Sequence, residues 1–331
     1  MARCKPGGLG NGRGKLPIEH SSFYPYLQRY LEKLNINNYS QDTYQRYDSN
    51  IRQFIHWSDE RDIDDPRSVT KPILERYQKH LYYSRKSNGD PISFSSQKIK
   101  LASLKAWFKW LTQQNYLLYN PASELQMPRT PERLPRYILS LEDIKELMNG
   151  VDTNSPEGIR DRAMLELIYS SGLRRKECAG LTEQDIDLKR QTVFIREGKG
   201  GKDRLLPLGE NACSWLTKYL WDARPELMST EVIHSLFIDN YGGAYNADCV
   251  GRLVKRYLKK ASLDVEGSAH LLRHAMATHM LENGADLRYI QTMLGHSDLR
   301  ATQIYTRVSV EKLREIHRAT HPGSRRYETE E

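Results

Sequence analysis

Apolar residues recur at every third or fourth position through the first 120 residues, with polar or charged residues between them. This spacing predicts helices, because it gathers the apolar side chains on one face of a structure with 3.6 residues per turn. Four such stretches cover residues 22–34, 41–59, 72–86 and 95–114. Ser40 precedes the second as a predicted cap, and Pro72 falls in the first turn of the third. The pattern therefore predicts a small four-helix domain.

Proline interrupts this pattern after residue 119. The segment NPASELQMPRTPERLP holds four prolines: Pro121, Pro128, Pro131 and Pro135. Proline removes a backbone donor and blocks a regular helix, so we predict an extended connector at residues 120–138. It would join an N-terminal helical domain, residues 19–119, to a second domain, residues 139–331. The glycine-rich, basic residues 1–18 are predicted to form a disordered lead.

The second domain is predicted to be mostly helical. It begins with Ser140 in SLED, a sequence typical of a capping box at the start of a helix. One β element interrupts the helices: TVFIRE, the turn GKGGKD and RLLPLG predict a hairpin over residues 192–209. The expected fold is therefore mainly α, with two domains and a small β-hairpin or sheet in the second.

Composition argues against a membrane-spanning or secreted protein. No apolar run is long enough to span a membrane, and the N-terminus lacks the apolar stretch of a signal peptide, so an intracellular, cytoplasmic protein is expected. The four cysteines, Cys4, Cys178, Cys213 and Cys249, are scattered without a CxxC pair. This spacing suits a reducing compartment and predicts neither a disulfide framework nor a cysteine metal site.

The charge is unevenly distributed along the chain. The net charge is +8, and before residue 138 there are 22 Lys and Arg against 13 Asp and Glu, whereas the remainder has 28 against 29. A basic N-terminal part is typical of a module that grips DNA, and equally of a solvated lysine-rich surface, so charge alone leaves both interpretations open.

One predicted helix, SSQKIKLASLKAWFKWLTQQ, interleaves basic and aromatic residues. Its lysines are Lys98, Lys100, Lys105 and Lys109. We interpret these lysines as candidate contacts to DNA phosphates. Trp107 and Trp110 are three residues apart and are predicted to lie in the core of the helical domain.

The stretch HLLRHAMATHM concentrates three histidines and an arginine on one predicted helix. A helical zinc site of the HExxH kind needs a glutamate where Leu271 stands, so no metal site is predicted here. Helical spacing places His270 and Arg273 on a common face, which we predict to lie outside the core. His279 falls on the apolar side as a core histidine, and His274 is interpreted as structural.

Five ordered motifs carry a resemblance to a known family: GLRRKE, GKGGKDRLLPL, HLLRH, LGHSDLRATQIYTRV and SVEKLREIHRATHP. Together they resemble the catalytic domain of the tyrosine recombinase, or phage integrase, family, and in particular its Xer-type members. The N-terminal helices resemble that family's SAM-like core-binding domain. The resemblance implies six catalytic residues: Arg174, Lys199, His270, Arg273, His296 and Tyr305. Glu177 would orient the pocket.

The resemblance implies a reaction on double-stranded DNA. Tyr305 would attack a phosphodiester to form a 3′-phosphotyrosine, while Arg174 and Arg273 stabilise the charge that develops on phosphate. Because the covalent link retains the bond energy, rejoining needs neither ATP nor a metal cofactor. This chemistry fits a sequence without a GxxxxGK[ST] phosphate loop. Exchange between two duplexes would require four protomers, with a possible accessory protein or partner recombinase.

Several alternatives remain open at this point. A type IB topoisomerase uses a similar residue set to relax DNA, and an inactive relative would bind DNA as an architectural protein. Among recombinases, the sequence does not decide between resolution of replicon dimers and integration or excision of a mobile element. The C-terminal segment SVEKLREIHRATHP, with Leu313 and Ile316 three apart, would dock either on a neighbouring protomer or on its own domain.

Overall fold

The computed structural model describes residues 16–130, 137–198, 202–229, 233–263, 265 and 267–295. The chain divides into two compact units with a boundary between residues 132 and 133. Each unit has its own hydrophobic core. Most of the predicted lead and part of the predicted connector lie outside the described residues.

The N-terminal unit is the predicted four-helix domain. Its helices are α1 (Tyr24–Ile36), α2 (Gln41–Asp59), α3 (Lys71–Tyr83) and α4 (Phe94–Gln113). Ser40 caps α2 as predicted, because its side chain accepts a hydrogen bond from the backbone N–H of Thr43. The predicted third helix was three residues too long, since after Tyr83 the chain turns into a short bridge between Arg85 and Pro91.

Aromatic side chains dominate the core of the N-terminal unit. Phe54 makes edge-on contacts with Phe23, Tyr77 and Phe108, whose ring centroids lie 6.3, 5.1 and 5.8 Å away. Such pairs stabilise a core beyond the area they bury. Trp107 is also fully buried, as predicted.

The ends of this core differ from the predicted segment boundaries. Ile18, Ala122 and Leu125 are all buried in it, although the sequence analysis placed the first in the lead and the other two in the connector. Apolar side chains explain the difference, because each gains free energy by leaving water and is close enough in the chain to reach the bundle.

The C-terminal unit is mainly helical and carries a small sheet. Its helices are α5 (Leu141–Asn149), α6 (Pro156–Ser171), α7 (Arg175–Gly180), α8 (Glu210–Lys218), α9 (Arg224–Leu227), α10 (Ala247–Lys260), α11 (Ala269–Glu282) and α12 (Leu287–Leu294). The strands are β1 (Ile186–Asp187), β2 (Thr192–Gly198) and β3 (Lys202–Pro207), which pair antiparallel in that order. The hairpin is as predicted, whereas β1 was missed because two residues show no alternation. The predicted fold class is confirmed.

Helix α6 runs through the centre of this unit and is buried around most of its circumference. Its buried charges are paired. Arg162 donates to the Glu166 carboxylate at 2.9 Å and to the Met148 carbonyl oxygen at the end of α5 at 2.7 Å. The capping box predicted at Ser140 is present, with Asp143 as its partner.

Tryptophan and cysteine are distributed differently between the two units. Trp57, Trp107 and Trp110 are buried in the N-terminal unit. The C-terminal unit has Trp215, which is partly buried against its core, and Trp221, which is 76% exposed. The described cysteines, Cys178, Cys213 and Cys249, are buried in the C-terminal unit. Burial raises the pKa of the Cys178 thiol.

Candidate active site

Helix α11 separates its histidines as predicted. His270 is exposed at the start of the helix, and His279 is buried near its end. Nδ1 of His279 lies 2.9 Å from the hydroxyl of Tyr169, so this core histidine has a polar partner. The polar face of α11 therefore begins at His270.

Arg273 differs from the prediction. It was expected to face outside the core beside His270, but it is only 4% exposed. Its Nη1 donates to the carbonyl oxygen of Gly172, and its Nη2 donates to that of Leu294. Helical spacing identified the correct face of α11 but not the backbone that covers it, and a buried guanidinium requires acceptors of this kind.

Gly172 makes this contact possible. It ends α6 in the left-handed conformation, with φ of 62°, where glycine has no steric penalty. A Cβ at this position would lie 2.1 Å from Cε of Met276. The packing of the Met276 side chain against the end of α6 therefore depends on the absence of a side chain at Gly172.

Arg174 occupies the N-cap position of the next helix, α7, and is held by Glu177. The Glu177 carboxylate accepts hydrogen bonds from the backbone N–H and from Nη1 of Arg174, both at 2.8 Å. Nη2 of Arg174 donates to the carbonyl oxygen of Leu294 at 3.0 Å. Arg174 and Arg273 thus converge on the last residue of α12, where carbonyl groups lack partners within the helix.

A third arginine, which the sequence analysis missed, completes the group. Arg204 on β3 donates from Nη1 and Nη2 to the two oxygens of Glu177, at 3.0 and 2.8 Å. Its Nε donates to the carbonyl oxygen of Met293 at 3.1 Å. The signal was strand alternation: Arg204 shares the inward side of β3 with the buried Leu206, whereas Leu205 between them is exposed.

Electrostatics favours ionised Glu177 and neutral His270. Burial of Glu177 opposes ionisation, but hydrogen bonds from Arg204 and Arg174 outweigh it and lower the pKa below 4.5. His270 is exposed overall, yet desolvation of part of its side chain, and then the charges of Arg273, Arg175 and Arg174, lower its pKa below 6.5. The carboxylate can therefore orient arginines, and the imidazole can accept a proton.

The candidate DNA-contacting lysines of α4 fall into two groups. Lys98 and Lys109 are exposed and Lys105 is half-buried, with its Nζ 2.9 Å from the Ser123 carbonyl oxygen. Their spacing of seven and four residues places all three on one face of the helix. Lys100 lies elsewhere: its ammonium donates to Gln53 on α2, and burial lowers its pKa. The structure thus separates Lys100 from the other three.

Three predicted site residues lie outside the described residues: Lys199, His296 and Tyr305. In the chain, Lys199 follows the end of β2 directly, and His296 follows Gly295 at the end of α12. Among the residues that are described, no group of three or more histidine, cysteine, aspartate or glutamate side chains could hold a metal ion. Nor does any described helix have the length and apolar character needed to cross a bilayer.

Comparison with known proteins matches both units. The Phage integrase family matches residues 138–312, and the family Phage integrase, N-terminal SAM-like domain, matches residues 26–117. Tyrosine recombinase XerC 2 of Ralstonia nicotianae is 50% identical over 93% of this chain and 88% of its own length. The chain belongs to the phage integrase family. The resemblance carried by the sequence motifs is confirmed.

Other recombinases are similar to this chain over most of their own length. Tyrosine recombinase XerD of Yersinia pestis is 34% identical over 90% of this chain and 97% of its own. The crystal structure of XerA recombinase has a TM-score of 0.51 and 28% identity, over 90% of this chain and 99% of that one. XerH, solved with its palindromic difH substrate, has a TM-score of 0.69 and 22% identity, over 88% of this chain and 83% of that one. It shows the shared fold.

These relatives decide between the alternative functions. The chain is an enzyme of the tyrosine recombinase type, a site-specific recombinase. The comparisons do not favour a type IB topoisomerase or an inactive architectural protein.

Proposed function

We propose that this recombinase cuts and rejoins double-stranded DNA through a 3′-phosphotyrosine on Tyr305, without ATP or a metal ion. The observation that carries the proposal is the convergence of Arg174 and Arg273 on one carbonyl oxygen, close enough to His270 for their charges to lower its pKa beyond the effect of desolvation. Backbone and carboxylate acceptors fix the orientation of the two guanidinium groups. Such preorganisation is what stabilises charge that develops in a transition state.

His270 acts as the general base in this proposal. Its lowered pKa keeps the imidazole neutral near pH 7, so that it can accept the proton of a tyrosine hydroxyl. Tyr305 has an ordinary pKa of about 10 and is mostly protonated at that pH. The Oη–P bond forms as the P–O5′ bond breaks, and the tyrosine proton passes to His270.

Lys199 and His296 complete the residue set. Lys199 would give a proton to the departing 5′ oxygen, and His296 would hydrogen-bond a phosphate oxygen. In the reverse direction a 5′-hydroxyl attacks the phosphotyrosine and gives its proton to Lys199. The Oη–P bond breaks as His270 returns its proton to Tyr305. Atoms and charge balance without a cofactor. Glu177 serves as a positioning residue for Arg174.

DNA binding is assigned to both parts of the chain. Residues 19–119 would contribute a DNA grip through Lys98, Lys105 and Lys109, and residues 139–331 the chemistry. The relatives XerH and lambda integrase were solved on their DNA sites, which supports DNA as the partner. Because each protomer has one nucleophile and exchange cuts four strands, four protomers would act on two duplexes in the cytoplasm, at the nucleoid.

A covalent-capture experiment tests the proposed function and identifies the DNA site at the same time. Wild-type protein and a Tyr305→Phe variant are mixed with genomic fragments, denatured, and the DNA that remains attached to protein is sequenced. We expect junctions clustered at one short sequence for the wild type and none for the variant, with no change on addition of EDTA. Scattered junctions would indicate a topoisomerase, and adducts that persist in Tyr305→Phe would place the nucleophile elsewhere.

A further inference from the structure

One guanidinium joins three elements next to the proposed phosphate pocket. Arg204 on β3 donates to both oxygens of Glu177 on α7 and to the Met293 carbonyl oxygen on α12. The pair is well buried, with side-chain exposures of 10% for Arg204 and 8% for Glu177. Bidentate pairs of this kind combine strength with a fixed geometry.

We propose that Arg204 is a positioning residue for strand cleavage, which acts by limiting how Arg174 can bind Glu177. This inference rests on the proposed function, since it concerns the orientation of Arg174 toward the phosphate.

Two arginines share the carboxylate of Glu177. Glu177 accepts from Nη1 and Nη2 of Arg204, and from Nη1 and the backbone N–H of Arg174. Because Arg204 occupies both oxygens, Arg174 gives the carboxylate only one of its terminal nitrogens. Its Nη2 is directed to Leu294 instead, beside the Arg273 contact.

Removal of Arg204 changes that competition. A lone arginine and a buried carboxylate favour the fork geometry with two parallel hydrogen bonds. Arg174 would then turn its second terminal nitrogen toward Glu177 and away from Leu294. A guanidinium displaced by this rotation no longer meets the phosphate oxygens in the orientation that cleavage requires.

Contacts at the end of α12 support the same role. Gly295 caps the helix with φ of 59°, and a Cβ there would lie 3.4 Å from Cδ of Arg204. Arg204 therefore packs against the turn as well as bonding Met293. The same side chain sets the position of the Glu177 carboxylate and of the helix end that accepts from Arg174.

The test compares Arg204→Lys with a matched control, Arg162→Lys. Arg162 also donates to a buried glutamate and to the last turn of a helix, but it does so at Glu166 and Met148, away from the pocket. Measurements are the melting temperature, the Kd for DNA carrying one site, and the single-turnover cleavage rate on a nicked suicide substrate. The site is the sequence recovered by covalent capture.

We expect both variants to lose similar stability and to keep their Kd, while only Arg204→Lys loses cleavage, by about 10²-fold. A 5′-bridging phosphorothiolate substrate, whose thiolate leaves without a proton, should not restore the rate. Restoration of the cleavage rate would show that Arg204 affects proton donation by Lys199 on the β2–β3 hairpin, and it would overturn the proposal. An equal cleavage rate in Arg204→Lys and Arg162→Lys would overturn it too.

Glu177 variants test the same step independently of how Arg204 variants fold. Glu177→Asp keeps the charge but shortens its reach, and a similar loss of cleavage is expected. Adding Arg204→Lys to Glu177→Gln should lower the cleavage rate little further, because both substitutions remove the same interaction. Two results would contradict an effect of Arg204 through Glu177: additive losses of cleavage rate in the double variant, or a wild-type cleavage rate in Glu177→Asp.

Arg174→Lys in the same assay tests the proposed active site separately from the role of Arg204. Wild-type cleavage by Arg174→Lys would overturn the proposed site itself. Slow cleavage by Arg174→Lys with normal cleavage by Arg204→Lys would overturn only the role of Arg204.

Discussion

Arg174 and Arg273 lie far apart in the chain, yet each donates a hydrogen bond to the same carbonyl oxygen, that of Leu294. The end of α12 is thus the point at which α7 and α11 bring their charges together. Backbone acceptors hold both guanidinium groups in place. Less reorganisation is then needed when a phosphate enters, which is the basis of electrostatic catalysis.

Lysine substitutions at Arg174 and Arg273 should have different effects on the cleavage rate and on the free energy of unfolding. Arg174→Lys and Arg273→Lys are each expected to slow cleavage by about 10²–10³-fold, because a point charge cannot replace a fork on the developing phosphate charge. Arg273→Lys should also lower the free energy of unfolding by about 1–3 kcal/mol, since its buried carbonyl partners lose donors. Suicide-substrate rates and urea denaturation measure the two effects. Near-normal cleavage by either variant would contradict the proposed role of the two arginines at the phosphate.

The pH dependence of cleavage should report on His270. Its pKa lies below 6.5, so protonation removes the base only as the pH falls below that value, and the acid limb of kcat/KM is expected there. Arg175→Gln removes one of the nearby positive charges, which should raise this pKa and move the limb to higher pH. Lys176→Gln, a change at the next residue, serves as the control. A limb that stays in place in Arg175→Gln would exclude His270 as the base.

Gly172→Ala should destabilise the C-terminal unit for two physical reasons. The left-handed backbone strains any L side chain, and the new methyl group meets Met276. Gly284→Ala is the matched control, because its φ is also positive, at 89°, but nothing lies within 4 Å of the added Cβ. We expect a loss of about 1–3 kcal/mol from strain in both variants, and a further loss only in Gly172→Ala. Equal melting temperatures for the two variants would exclude the steric contribution.

Lysines on α4 should differ in their effect on DNA affinity. Single substitutions Lys98→Ala, Lys105→Ala and Lys109→Ala are each expected to weaken binding and to reduce the slope of log Kd against log salt by about one. Lys100→Met on the same helix removes an ammonium that is largely buried, bonds Gln53 and lies off this face, so the slope should not change. Titrations at several salt concentrations distinguish these results. An unchanged slope in all three alanine variants would remove this face from the DNA contact.

The sequence predicted features that depend on local pattern. The α2 boundaries, the Ser140 capping box, the β2–β3 hairpin and the buried His279 follow from spacing along one element. The burial of Arg273 and the Arg204–Glu177 pair were not predictable in this way. They depend on which separate elements meet, and helical or strand periodicity gives a face without its neighbour.

The unequal placement of tryptophan and cysteine gives the two units different intrinsic probes. Most of the shift of tryptophan fluorescence to longer wavelength should come from melting of the N-terminal unit, because Trp57, Trp107 and Trp110 are buried there, whereas Trp215 of the C-terminal unit is only partly buried. The buried thiols Cys178, Cys213 and Cys249 should react with a thiol reagent only when the C-terminal unit opens. The order in which the two units unfold, and any stabilisation that DNA confers on one of them, can therefore be followed in the unmodified protein.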